Sequence, residues 1–209
     1  ASKRAMKGLG GTVTGFISAA APLIGVAALF KGVSVAIEKA GRQERAEIKL
    51  AQAIGKTSTA LLQQASALQK VTTAGDEAII EQMAFLGSIK MTEDQIKTIM
   101  PVALDLAAAT GMTLESAVRN TAKTFSGLAG ELGELVPQLR GLTAEEMKAG
   151  KAVEVMAEIF KGQATAEAKT FNGQIEQMNN ALGDLAEELG VVVIPIILDL
   201  AKEFTQMAI

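Results

Sequence analysis

The most regular apolar pattern lies in the last third of the chain. Apolar residues recur there at alternating spacings of four and three, over about three and a half heptads: Ala164, Ala168, Phe171, Ile175, Met178, Leu182, Leu185 and Leu189. Upstream, Val153, Ala157 and Phe160 continue the spacing, but two consecutive fours meet at Ala164, a stutter that locally unwinds a supercoil. The pattern predicts one long helix over residues 142–190 that opens with a capping box from Thr143 to Glu146.

A single narrow stripe of this kind must be buried against something. Antiparallel folding onto the same chain is possible, and a parallel homo-oligomer is the simpler solution. We therefore predict a coiled-coil-like oligomer interface formed by Phe160, Ala164, Ala168, Phe171, Ile175, Met178, Leu182, Leu185 and Leu189.

Residues 41–141 also have helical periodicity. One apolar stripe predicts a long helix over residues 41–75: Leu50, Ile54, Leu61, Ala65 and Leu68. Residues 76–141 predict a small helical bundle, with a helix that begins at Asp76. A second begins at a capping box from Thr92 to Gln95, contains Pro101 as a kink or division, and stops at Gly111. Thr113 can cap a third that ends near Gly127, before short helices and turns over residues 128–141. The expected fold is all-α.

The two ends of the chain are strongly apolar. Residues 8–30 carry no charge and are long enough to cross a hydrocarbon core roughly 30 Å thick. Because Pro22 and several glycines interrupt this stretch, we favour burial against sister chains in an assembly over a constitutive membrane span. The residues expected to be buried in a lumen or membrane are Phe16, Ile17, Leu23, Ile24, Val26, Leu29 and Phe30.

The C-terminal apolar segment covers residues 191–209. The preceding helix is expected to end at Gly190, and Pro195 suits the first position of a new helix. A buried strand over residues 191–194 is the alternative.

Composition excludes several classes of chemistry. The 209 residues include no Cys and no His, which removes disulfides, thiolate nucleophiles and the commonest general base. Net charge is −3, but residues 1–40 carry five Lys or Arg and one Glu, so the basic charge gathers at the apolar N-terminal end.

The motifs with chemical meaning all have simpler explanations. The run Gly55-Lys56-Thr57 lacks the first glycine of a phosphate-binding loop, since position 50 is Leu. Adjacent carboxylates such as Glu93-Asp94 diverge by about 100° on a helix and do not converge on a substrate. We expect no enzyme activity, no cofactor, no metal and no small-molecule substrate.

Two stretches resemble phage tail tape measure proteins. They are GLTAEEM at residues 141–147 and the run at residues 152–200 that contains the steps Phe160-x-Gly162-x-Ala164, Gly173 and Asn180-x-Leu182-x-Asp184-Leu185, followed by Gly190 and Pro195. Leu104-Asp105-Leu106-Ala107 is similar to the same family, and the likeness covers about residues 41–209.

The resemblance implies a structural virion protein. It would set tail length during assembly, fill the tail lumen and tip, and assist genome passage through the host envelope. It implies a tip-proximal piece of a longer ruler, a homotrimer, contacts with the tail tube, distal tail and tip or hub proteins, and transient contact with the host membrane. The alternative hypothesis, motivated by residues 8–30, is a membrane-active helical pore-forming or export protein.

Overall fold

The protein is all-α in the residues that the structure describes, as the sequence predicts. The structure is a computed structural model that describes the backbone of residues 26–207 and the side chains of residues 34–192, 194 and 195. No strand occurs over residues 26–207. The α-helices are α1 Val26–Ile54, α2 Thr59–Gln69, α3 Asp76–Ser88, α4 Glu93–Thr110, α5 Leu114–Thr124, α6 Leu132–Leu135, α7 Ala144–Lys148, α8 Lys151–Phe160, α9 Gln163–Ala168 and α10 Phe171–Met207, with a 3₁₀ turn at Pro137–Gly141.

The chain forms two compact units. One consists of residues 45–180, and the other combines residues 1–44 with residues 181–209. The core of the unit 45–180 is built from aliphatic side chains and methionines, in keeping with a chain whose aromatic residues are seven phenylalanines. Its largest fully buried side chains are Leu50, Leu61, Ile79, Ile80, Met83, Leu86, Ile96, Ile99, Met100, Leu106, Leu132 and Leu139.

Local capping signals place the helix boundaries of this unit. Thr92 and Gln95 form the predicted capping box of α4, and Thr143 and Glu146 form that of α7. Gly111 has φ 72°, a left-handed conformation that glycine adopts without strain, and α4 stops there as predicted. Pro101 lies inside α4 but does not divide it.

The stretch predicted as one long helix over residues 41–75 is divided. Helix α1 begins upstream at Val26 and ends at Ile54, followed by Gly55 with φ 81°. A new helix then begins because the Ser58 side chain accepts a hydrogen bond from the backbone N–H of Leu61. The apolar stripe continues across the break, because Leu50 and Leu61 are both buried in one core.

The stretch predicted as one helix over residues 142–190 is divided more severely. Helices α7, α8, α9 and the start of α10 share it. Gly150 and Gly162 stand at two of the breaks with φ 92° and 80°, and the third lies at Lys169 and Thr170. Sequence periodicity does not detect such breaks, since apolar residues on both sides of a turn can still face one core.

Helix α10 continues where the sequence predicted an end. It passes through Gly190 and contains Pro195, so residues 191–194 are helical and the strand alternative is wrong. Gly190 allows a close contact between helices and does not end α10.

The N-terminal apolar segment falls largely outside the described residues. Phe16, Ile17, Leu23 and Ile24 lie outside them, and of Val26, Leu29 and Phe30 only the helical backbone is described. Among the helices of the described part, none is both long enough and apolar enough to cross a membrane.

Candidate self-association surface

Six residues of the predicted seam form an exposed stripe along α10. Their exposed fractions are 78% at Phe171, 38% at Ile175, 56% at Met178, 57% at Leu182, 52% at Leu185 and 43% at Leu189. They lie on one face because their spacing alternates between four and three residues along a continuous helix. We call these six residues the α10 seam.

Two amide side chains hold the first turns of α10 against the α2–α3 connection within the unit 45–180. Gln177 Nε2 donates to the backbone carbonyls of Lys70 and Thr72, at 3.1 and 3.2 Å. Asn180 Nδ2 donates to the carbonyl of Thr73 at 3.1 Å. At 100° per residue the Gln177 side chain points roughly 120° and the Asn180 side chain roughly 180° away from the middle of the seam. The first turns of α10 are therefore fixed with Phe171, Ile175 and Met178 directed away from the α2–α3 connection.

The flanks of the seam carry almost no charge. If Ile175, Leu182 and Leu189 are taken as heptad position a, the flanking positions e and g are held by Asn172, Asn179, Ala186, Gln174, Ala181 and Glu188. Of these only Glu188 has an acidic or basic side chain. The other acids of this stretch, such as Glu176 and Asp184, lie off the seam. Identical copies set side by side would thus bring few like charges together.

The upstream part of the predicted interface is buried in the protein's own core. Ala164 is 4% and Ala168 is 3% exposed, and Phe160 packs partly buried against the same core. In the described state these three residues face their own chain, so the predicted interface is divided into a buried part and the exposed α10 seam.

Asp105 of α4 holds the buried part in place. Its Oδ2 accepts from the backbone N–H of Gly162 at 3.0 Å, and its Oδ1 accepts from that of Ala164 at 2.9 Å. A carboxylate here satisfies donors at the first turn of α9 that have no partner within the helix. This role is not evident in the sequence, because Asp105 lies 57 and 59 residues from the two N–H groups that it caps.

A tight turn separates this buried part from the α10 seam. Thr170 Oγ1 accepts from the N–H of Gly173 at 3.0 Å and donates to the carbonyl of Glu167 at 2.7 Å. A Cβ at Gly173 would overlap the carbonyl oxygen of Glu167 and lie 2.7 Å from Cα of Ala168. The turn consequently requires glycine at position 173.

In the other unit, α1 and α10 cross at close range. A Cβ added at Gly190 would overlap the carbonyl oxygen of Ala36 and lie 2.8 Å from Cβ of Ala40. Ala36 and Ala40 are buried at this crossing. Small residues on both helices allow the backbones to touch, which explains why a glycine stands inside a helix here.

The Gly55-Lys56-Thr57 run serves a structural purpose. Lys56 Nζ lies 3.0 Å from Oε2 of Glu93. The other carboxylate oxygen, Oε1, accepts a hydrogen bond from Ser58 Oγ at 2.9 Å and pairs with Lys97 Nζ at 3.3 Å. Hydrogen bonds from Lys56, Ser58 and Lys97 lower the pKa of Glu93 from 4.5 to about 2. The lysine therefore joins the α1–α2 connection to the start of α4, and this run is not a phosphate loop.

A comparison with known families identifies the chain. A sequence model of the family described as prophage tail length tape measure protein matches residues 1–151. The match includes Asp105 and the stretch 141–147 that carried part of the resemblance, whereas α9 and the α10 seam lie beyond it. No curated protein and no solved structure matches the chain. Since the matched residues are well over half of the 209, the chain belongs to the prophage tail length tape measure protein family.

Proposed function

We propose that this chain is the part of a tail tape measure protein that joins copies of the ruler side by side through the α10 seam. Membership of the family makes it a structural component of the phage tail that acts in setting tail length. In the proposal, copies line up in parallel within the tail lumen or tip, and tube subunits polymerise around them.

The exposed seam is the observation that carries this proposal. Six apolar side chains, each at least 38% exposed, follow one heptad face over 171–189. Burying about half of such a side chain contributes on the order of 1 kcal/mol per residue. Monomeric surfaces seldom leave so continuous an apolar stripe uncovered.

A second copy of the chain is the occupant that fits the seam best. The heptad spacing matches a parallel coiled coil, and the nearly neutral flanks give little like-charge repulsion between identical helices. Gln177 and Asn180 hold the opposite face, so pairing along the seam leaves these bonds in place. We propose three copies, in line with the homotrimer that the family resemblance implies.

The wider role includes several partners. The tail tube, distal tail and tip or hub proteins would enclose the oligomer, which places it in the virion tail. Release of the ruler would precede genome passage, with transient contact of the apolar N-terminal segment with the host membrane. The physical basis is that a helix rises about 1.5 Å per residue, so extended ruler segments convert residue number into tail length.

Replacement of one central seam residue tests the proposal. Leu182→Glu places a carboxylate from each copy at the axis of the oligomer, where charges would be desolvated next to one another. We expect sedimentation equilibrium of the complete chain to give a trimer for the natural sequence and a monomer for this variant. In the complete phage gene, the same change should give few tails or tails of irregular length.

Val191→Glu is the matched control. Val191 is 66% exposed on the same helix but lies off the seam, so the variant adds the same charge and removes similar apolar surface. It should associate as the natural chain does. A natural chain that stays monomeric at every concentration, or equal weakening by both variants, would refute self-association through the seam.

A further inference from the structure

The bend between α9 and α10 interrupts an apolar pattern that is continuous in the sequence. Ala164 and Ala168 precede Phe171 at spacings of four and three, in the same heptad phase as the α10 seam. The phase changes only upstream, between Phe160 and Ala164, where Gly162 has φ 80°. The sequence therefore specifies one seam from 164 to 189, of which the structure exposes only the part after the bend.

We propose that α9 swings away from α4 about Gly162 and joins α10 as one continuous helix, which extends the seam by one heptad for binding a second copy of this chain. In the compact state Ala164 and Ala168 pack in the core of the unit 45–180. In the extended state the same two residues occupy seam positions between copies. The inference rests on the proposed self-association for its partner, but the bend can be tested without it.

The α9 helix is held in the bent position by polar contacts at both of its ends and by the burial of two alanines. Asp105 accepts two backbone hydrogen bonds at the start of α9, and Thr170 closes the turn at its end. The residues α9 contributes to the core are small, since Ala164 and Ala168 are its buried members. The chain from Gln163 to Phe171 contains no proline or glycine, so a helix through the turn meets no backbone obstacle.

A side chain at position 173 would have different effects in the bent form and in the extended helix. A Cβ at this position would collide with the backbone of Glu167 and Ala168 in the bent form. In a continuous helix the same Cβ points outward and meets no backbone, and alanine is a better helix former than glycine. Gly173→Ala therefore opposes the bend and favours the extended helix at once.

Binding of a second copy would supply the driving force for the change. A partner that pairs with the longer seam binds the extended state more tightly than the bent state and so shifts the population towards it. The two hydrogen bonds that Asp105 accepts from α9, which we call the Asp105 catch, would then keep unassembled chains in the bent state. The chain would therefore expose the longer apolar seam only when it assembles with another copy.

Distance measurement between two spin labels tests the inference. The chain has no natural cysteine, so Gln163→Cys and Glu176→Cys, both at exposed positions, accept labels cleanly. In a continuous helix the 13 steps from residue 163 to residue 176 span about 20 Å at 1.5 Å per residue. The bent form gives a shorter separation, because residue 173 folds back onto residues 167 and 168.

We expect the natural sequence to give the short distance when dilute, and Gly173→Ala to give a main population near 20 Å at the same concentration. The association constant of the Gly173→Ala variant should rise about tenfold or more, because most of its chains already have the extended helix that binds a second copy. Gly183→Ala is the matched control, since it improves the same helix and its Cβ meets Lys39 Nζ at an ordinary 3.5 Å. It should leave the distance short.

An unchanged short distance in Gly173→Ala, with cooperative unfolding retained, would overturn the inference. If that variant loses cooperative unfolding, Asp105→Asn decides instead, because it weakens the catch without a steric clash. A label distance unchanged in Asp105→Asn would then overturn the inference. Self-association without the distance change rejects the bend mechanism alone, whereas the distance change in a chain that stays monomeric rejects the proposed function alone.

Discussion

Removal of the Asp105 carboxylate should loosen α9 by an amount that the local geometry allows to be worked out. The N–H of Ala164 is part-buried and would lose its acceptor, whereas the exposed Gly162 can donate to water instead. Loss of a hydrogen bond to a charged group inside a protein costs about 1.5–3 kcal/mol, and one that water replaces costs much less. We expect Asp105→Ala to lower the free energy of opening α9 by about 2–3 kcal/mol.

Amide hydrogen exchange is the assay that sees this local change. The N–H of Ala166 donates to the carbonyl of Gly162 at 2.9 Å and reports opening of α9. A loss of 2–3 kcal/mol speeds its exchange about 30- to 150-fold, at 1.4 kcal/mol per factor of ten. The N–H of Ile96, bonded to the carbonyl of Thr92 in α4, should keep its exchange rate.

Asp94→Ala supplies the control. It removes an acid from the first turn of the same helix, where its effect is limited to the helix dipole and amounts to about 0.3–1 kcal/mol. Exchange at Ala166 should not respond to it. If Asp105→Ala changed the Ala166 rate by less than about threefold, the catch assigned to Asp105 would contribute too little to hold α9.

Two further predictions concern other contacts. With its pKa lowered to about 2, Glu93 stabilises the fold fully above about pH 4.5, and this contribution is lost as the pH falls through 2. Glu93→Gln should therefore be less stable at pH 7 and lose less stability between pH 4.5 and 2, as read from urea unfolding by circular dichroism; equal pH slopes would contradict the network. Gly190→Ala should force α1 and α10 apart at Ala36 and cost about 1–3 kcal/mol. Gly183→Ala should not destabilise the chain, and equal stability of both variants would refute the close crossing.

Local signals in the sequence predicted the starts of α4 and α7 and the end of α4 correctly. The capping boxes at Thr92 and Thr143 and the stop at Gly111 need only residues within one helical turn, so they can be identified without tertiary structure. The breaks at Gly55 and Gly162 were not predicted, because a glycine inside a periodic stretch is also compatible with a continuous helix at a cost of about 1 kcal/mol.

The long-range contacts could not be predicted from one sequence. The sequence around Asp105 looks the same whether its carboxylate caps a distant helix or faces water. Its partner Gly162 lies 57 residues further along the chain. Gly190 stands after a regular helical run, where glycine ordinarily marks the end of a helix. In the structure it instead gives Ala36 room at the α1–α10 crossing, so the meaning of the residue depends on a partner more than a hundred positions away.

The division of the heptad stripe follows the size of its side chains. Periodicity states which face of a helix is apolar, but not whether the partner is the same chain or another copy. Ala164 and Ala168 are small enough to let α9 approach α4 closely, and they are buried there. From Phe171 onward the stripe consists of large side chains, which remain at least 38% exposed. One pattern therefore includes a part that is buried in its own chain and a part that is exposed. Its small residues suit either partner, so in the proposed assembly the turn at Lys169 and Thr170 is where packing within one chain and pairing between copies compete.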